Sequence, residues 1–328
     1  MGVLYITGGQ QRTYTQTEEW RQYGKGVIAR VDTETGRSEV CAEYVSPPDV
    51  CPDGESSITF KAGTLDGDRL YVCTSTEVIV YALPEFTQVG YVSLPCFNDL
   101  HHVHPTESGT LLVANTGLDS VVEVSPDGER LREWHVLGHD PWADFSPHVD
   151  YRKVATTKPH KAHPNHVFLL DGQAWVTRFN QRDAISLDDG ERIAIDVQRP
   201  HDGTPRGDRV YFTTVDGHVV IANARTRQME EFVDLNTPGG PTLGWCRGLS
   251  VVDDKRAWVG FSRIRPTKFA ENISWIKNGF KRRRRPTHIA LYDLARAKCL
   301  REIELESLGL HTVFSIIAVP DRPASRQS

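Results

Sequence analysis

Thirteen histidines occur in the 328 residues, and several share one spacing. His102 stands ten residues before Leu112, His166 nine before Trp175, and His201 ten before Tyr211. Each later residue is the centre of a short apolar run. Lys61 stands ten before Tyr71 and Arg247 eleven before Trp258 in the same way, and His311 opens a further run. Imidazole is the commonest protein ligand for transition metals. Three or four imidazoles carried on separate rigid elements could close a nitrogen set around one ion and leave positions for water or substrate. The spacing therefore predicts that His102, His166, His201 and His311 hold a divalent transition metal such as iron, manganese or zinc. Lys61 and Arg247 are the expected catalytic cations, holding a substrate anion, with Arg247 offering a bidentate fork. Asp99 and Asp202 neighbour the histidine stretches and could fix ring tautomers. With Asn98 and Asn165 they form the expected substrate-binding set.

The competing explanation is that such histidines are only solvated or bonded to a neighbouring carbonyl. For one histidine that explanation leads. For a register repeated in successive units, a ligand set is the better reading. His101, His104, His160 and His163 rank lower. Strand side chains alternate, so if His102 faces a channel, His101 should point into packing. His135, His139, His148, His218 and His288 read as surface or loop positions.

The elements that must position these residues repeat. Phe97–Trp134 reads as a strand, a turn at Thr106–Gly109, the strand Leu111–Asn115, the strand Ser120–Val124, an SPDG turn and a fourth strand. Strands of this kind are short, β-branched or aliphatic, and bounded by turn residues. Copies occupy 57–95, 165–197, 200–234 and 247–305. The ends complete one more unit, with 311–319 as its first strand and three strands within 1–45 following. A meander of four strands cannot bury both faces alone and must stack on its copies. The expected fold is all-β: a single six-bladed β-propeller spanning 1–328, closed by pairing of the terminal strands, with first strands lining the central channel.

Composition narrows the partners. A formal net charge of −5 argues against nucleic acid. No apolar stretch reaches the length of a membrane span. The start of the chain lacks a basic region followed by a long apolar run, so the expected location is cytoplasmic. Six cysteines without a CxxC pair read as free thiols, three of them (Cys41, Cys73 and Cys299) in strands. Interruptions fall at 10–25, 46–56, 136–159 and 264–286. The third carries Trp142, Phe145 and Tyr151 and is expected to cover a channel mouth. The last ends in the basic run Lys281–Arg285, which reads as a solvated loop tip. No Walker loop, GxGxxG, HExxH, GxSxG or Trp-Asp pattern is present.

The rhythm of VANTGLDSVVEVSPDG and WVTRFNQRDAISLDDGE resembles the NHL, SMP-30/gluconolactonase and strictosidine-synthase-like group of six-bladed propellers. The resemblance implies a propeller that is either an enzyme with a channel site or a binding module. Hydrolases of that group hold calcium with Glu, Asn and Asp, where this chain offers histidine. The residues favour a metal-dependent lyase or hydrolase, or an oxygenase, acting on a small anionic molecule. Two alternatives stay open: metal-free group transfer by channel His and Arg, and a non-catalytic propeller that binds a protein through its loops.

Overall fold

The computed structural model describes residues 2–13, 18–140, 142–264 and 285–320. It contains six antiparallel sheets of four strands, arranged as the blades of a propeller. Blade 1 runs Thr312–Ala318, Val3–Gln11, Tyr23–Asp32 and Ser38–Tyr44 from the inside outward. Blade 2 comprises Gly63–Asp66, Arg69–Cys73, Val78–Ala82 and Thr87–Val92, and blade 3 comprises Leu100–Pro105, Leu111–Asn115, Ser120–Val124 and Arg130–His135. Blade 4 is Pro164–Leu170, Gln173–Arg178, Asp183–Ser186 and Arg192–Ala194, and blade 5 is Thr204–Arg206, Arg209–Thr214, His218–Asn223 and Met229–Asp234. Blade 6 is Trp245–Asp253, Arg256–Ser262, His288–Asp293 and Lys298–Glu304. Among the described residues no helix is long and apolar enough to cross a membrane. Most of the basic run lies outside the described residues.

The period-two alternation of the strands explains the stacking. On Leu111–Asn115, Leu111 and Val113 pack toward blade 2, whereas Leu112 and Ala114 pack toward blade 4. In blade 6, Ala257 and Val259 join the blade 5 interface, and Trp258 between them joins blade 1. A second strand buried on both faces reads as a continuous apolar run for this reason. The core is thus divided into clusters between neighbouring blades rather than one central mass. The ring closes where Leu4 pairs with Ala318, Tyr5 with Ile317 and Ile6 with Ile316. The Thr7 and Ser315 hydroxyls add a buried hydrogen bond of 2.8 Å across the same join.

First strands carry a recurrent irregularity at their channel ends. Leu100 pairs with Asn115 and His102 with Ala114, leaving His101 as an extra residue. Pro164 pairs with Arg178 and His166 with Thr177, leaving Asn165. Cys246 pairs with Phe261 and Leu249 with Val259, leaving Arg247 and Gly248. Val313 pairs with Gly8 and Ser315 with Thr7, leaving Phe314. A β-bulge of this kind inserts one residue, interrupts the alternation and re-aims a side chain. In blades 2 and 5 the corresponding chain runs just ahead of the first strand, where Lys61 N donates to Cys73 O and His201 N to Thr213 O.

Candidate active site

A cavity of about 590 Å³ is lined from every blade by residues at or just before the first strands. Its inner wall is built by Phe314 of blade 1, Lys61 ahead of blade 2, His101 of blade 3, His163 and His160 ahead of blade 4, His201 ahead of blade 5, and Arg247 of blade 6. Trp20, Tyr23, Phe179 and Trp245 contribute aromatic wall.

Electrostatics favour an anionic occupant. The lining includes Lys61, Lys158, Arg199 and Arg247 against one carboxylate, Asp99. Lys61 Nζ lies 3.0 Å from Asp99 Oδ1 and 4.9 Å from the centre of the Phe314 ring. The Arg247 guanidinium stacks on the same ring at 3.5 Å. Its Nε donates to Val313 O at 2.6 Å and an Nη donates to the Thr312 hydroxyl. Both cations are largely buried, which strengthens their pull on an anion relative to an exposed pair. Burial disfavours the Asp99 carboxylate, but Lys61 and His101 outweigh it and hold it well below the usual range.

The histidines are arranged as neutral bases. The Asn165 amide donates to Pro200 O at 3.0 Å, which turns its Oδ1 toward His101 Nδ1 at 2.8 Å. Asn165 Oδ1 therefore accepts the Nδ1 proton of the neutral ring, and His101 Nε2 faces Asp99 Oδ1 at 3.5 Å, whose charge favours taking up a proton there. Burial, then the Lys61 charge, pushes His101 down to about 4. A second chain starts at His163. Thr157 donates to Gly117 O at 2.5 Å, so its oxygen accepts from His160 Nε2 at 3.2 Å. His160 Nδ1 then accepts from His163 Nδ1 at 2.7 Å, leaving a lone pair on His163 Nε2. The His163 ring stands edge-on to His101 at 4.8 Å, and the His201 ring lies 5.9 Å from His101. Burial and the neighbouring imidazoles hold His163 well below its ordinary value, and burial with Arg247 does the same for His201.

The expected residues separate into two groups. Lys61, Asn98, Asp99, His201 and Arg247 line the cavity. His102, Asn165, His166, Asp202 and His311 do not. The bulge at His101 is the reason for His102: alternation is broken there, so His101 turns into this cavity, and His102 contacts the first strands of the two flanking blades, 2 and 4. His102 accepts from Val167 N at 3.3 Å, reaches the Thr64 hydroxyl at 3.2 Å, and stacks on His166 at 3.7 Å. The bulge at Asn165 displaces His166 in the same way. His311 precedes the blade 1 bulge and accepts from Gln11 N at 2.8 Å, so Phe314 takes the inner position. Asp202 is a buried brace: it accepts from the Thr213 hydroxyl and from Gly248 N at 3.0 Å, and burial pushes it up to about 6. Of the expected ligand set, His102 and His166 stack on each other, but no three of His102, His166, His201 and His311 bring ligand atoms within 4.8 Å of one another. Among the described residues, the group that brings three ligand atoms within 4.8 Å of one another is His135, His139 and Asp144, away from the cavity lining, and this group could bind a metal.

Asn98 ties down the segment after blade 3. Its amide donates to Tyr151 O and Val154 O, each at 2.8 Å, and its Oδ1 lies 3.2 Å from the Thr157 hydroxyl. Val154–Thr156 and Lys158–His160 then wall the cavity. The interruption 136–159, expected to cover a channel mouth, thus reaches the cavity through its last residues, while its Trp142, Phe145 and Tyr151 pack on the cluster between blades 2 and 3.

Fold and site together define a six-bladed propeller with a cationic, histidine-walled central cavity. Solved structures that share its architecture include the following two. A protein of unknown function from Bacteroides caccae aligns over 97% of this chain and 98% of its own, at 12% identity and TM-score 0.60. A streptogramin B lyase aligns over 96% of this chain and 91% of its own, at 12% identity and TM-score 0.51. At that identity the likeness shows the fold. No family model matches the sequence, and no curated protein matches it.

Proposed function

We propose that this propeller is an enzyme that binds a small anionic molecule in the central cavity and removes a proton from it, with His101 as general base. Lyase-type elimination next to a carboxylate is the favoured chemistry, and a propeller lyase among the structural neighbours is consistent with it. The observation that carries this reading is His101 itself. Its Nδ1 is pinned to Asn165, and its Nε2 faces Asp99 Oδ1 at 3.5 Å in a wall that also holds the buried cations Lys61 and Arg247. A base needs this fixed tautomer and reach to the substrate.

Lys61 and Arg247 anchor the substrate anion and stabilise charge that develops on it during proton removal. Burial depresses both bases most in the free protein, and the same cations add to it: Lys61 acts on His101, and Arg247 acts on His201. A bound anion offsets the cationic part of that depression and so raises His101 relative to the free protein. His101, once protonated, can give that proton to the departing group as the C–H electron pair becomes the new double bond, and His163, held by His160 and Thr157, presents a neutral ring edge-on to that of His101. This reading differs from the metal-centred one because the bases and anion anchors meet here, whereas the four expected ligands do not.

The test uses a panel of small carboxylates, phosphate esters and sulfate esters in deuterated water, with NMR following C–H exchange and product formation. Wild-type protein should exchange or eliminate at least one panel member, and His101→Ala should lose that turnover while still binding the anion. Undiminished turnover by His101→Ala would remove His101 as the base.

A further inference from the structure

We propose that His135, His139 and Asp144 form a binding site for a divalent transition-metal ion of the zinc class, outside the central cavity and independent of the reaction proposed there. The three residues place one ligand atom each within 4.8 Å of one another. His135 ends the outer strand of blade 3, while His139 and Asp144 follow on the segment that leads toward blade 4. Two imidazoles and a carboxylate suit zinc, cobalt(II) or nickel(II) better than calcium or magnesium, which take oxygen sets. Three protein ligands leave a further position for water.

A second observation points to a ligand here. His135 is buried, and its Nε2 has no hydrogen-bond partner. Buried polar nitrogens are seldom left so. Its Nδ1 accepts from Leu137 N over a long 3.3 Å. Coordination through Nε2 needs the ring proton on Nδ1, so binding gives up that one weak contact. The His139 ring already lies 3.7 Å from that of His135, and His139 Nε2 lies 3.4 Å from Asp144 Oδ2.

A cation already sits on the carboxylate. Lys161 Nζ contacts both Asp144 oxygens at 2.7 Å. A metal ion must displace it, so Lys161 is a competitor whose removal should tighten binding. Lys161 immediately follows His160 of the cavity wall. The ion would thereby clamp the start of the segment whose far end shapes the cavity.

The experiment adds zinc or cobalt(II) to chelator-stripped full-length protein. Calorimetry measures stoichiometry and affinity, and visible absorption reports the cobalt coordination. The expected result is one ion per chain, bound about tenfold or more weakly by His139→Ala and by Asp144→Asn, since losing a ligand costs at least as much as losing an outer partner. Lys161→Met should bind more tightly, and His101→Ala should bind as wild type does. His139→Ala, Asp144→Asn and Lys161→Met should melt close to wild type without metal. Absence of stoichiometric binding overturns the site, and so does unchanged affinity in both ligand variants. Loss of binding in His101→Ala would place the ion in the cavity and overturn it as well.

Discussion

Acid should unfold this protein through its buried neutral histidines, and the size of the effect can be worked out. His101 and His104 are pushed down to about 4 and His166 to about 3, in each case chiefly by burial. His102, His163 and His201 are held well below their ordinary value, again chiefly by burial. A histidine whose folded pKa is depressed stays neutral in the native state while the unfolded chain takes up a proton. Its contribution is therefore complete above the unfolded value of about 6.5 and is lost as pH falls through that value toward the folded one. At pH 5 each such group costs about 2 kcal/mol, a figure set by the unfolded pKa once the folded one lies a unit or more lower. Six groups give a ceiling of about 11 kcal/mol between pH 7 and 5, and Asp202, pushed up to about 6, returns about 1 kcal/mol as it protonates. Water entry and local relaxation reduce this, so a loss of about 5 kcal/mol is expected, comparable with the whole stability of many domains. Urea unfolding at pH 7 and pH 5 measures it, and the slope of stability against pH counts the protons taken up. His166→Gln should lower that slope by close to one proton. A loss below about 1 kcal/mol would mean that these imidazoles are not held neutral, and the base assignment of His101 would fall with them.

Arg247→Met should weaken binding of any anion that wild type binds by about tenfold or more, read by calorimetry, because a buried charge partner is lost. Asp99→Asn removes a charge that raises His101, so the acid limb of the pH–rate profile should move to lower pH. An acid limb that moves upward would contradict the assignment. Deleting residues 312–328 strips the inner strand from blade 1 and exposes an edge; the melting transition should drop sharply or the protein should aggregate.

The architecture was legible because it rests on repetition. Turn residues, apolar second strands and the orphan strands at the two ends defined a closed six-bladed ring, and the pairing of Leu4–Gly9 with Thr312–Ala318 closes it. The site was legible in kind but not in register. Histidine and cation spacing pointed to the inner strands, yet alternation counted from strand centres assumes a regular ladder. A bulge adds one residue that no side-chain pattern announces. LHHVH and HPNHV each offer two neighbouring polar residues, and only the backbone decides which faces inward. His101 displaces His102 and Asn165 displaces His166 for that single reason. Phe314 was invisible as a site residue because an aromatic inside an apolar strand reads as core.

The bulges also explain why these residues act together. His101 and Asn165 occupy equivalent positions in adjacent blades, and their side chains bond to each other across the gap. Arg247 and Phe314 are the bulge residues of another adjacent pair, blades 6 and 1, and they stack. His101 and Arg247 are thus each oriented by a neighbour in the ring rather than by their own blade. Asp202 binds Gly248 N, beside Arg247, and so braces blade 5 against the blade 6 bulge. It follows that Asn165→Ala should act through His101 without touching the anion. Its loss frees the ring to rotate and removes the acceptor that fixes the Nδ1 proton. Turnover should fall while anion affinity, set by Lys61 and Arg247, stays near wild type. Asn165→Asp should restore the acceptor, and its negative charge should move the acid limb of the rate profile upward. If Asn165→Ala lost affinity and turnover in the same proportion, Asn165 would be a part of the binding wall and not the residue that positions the base.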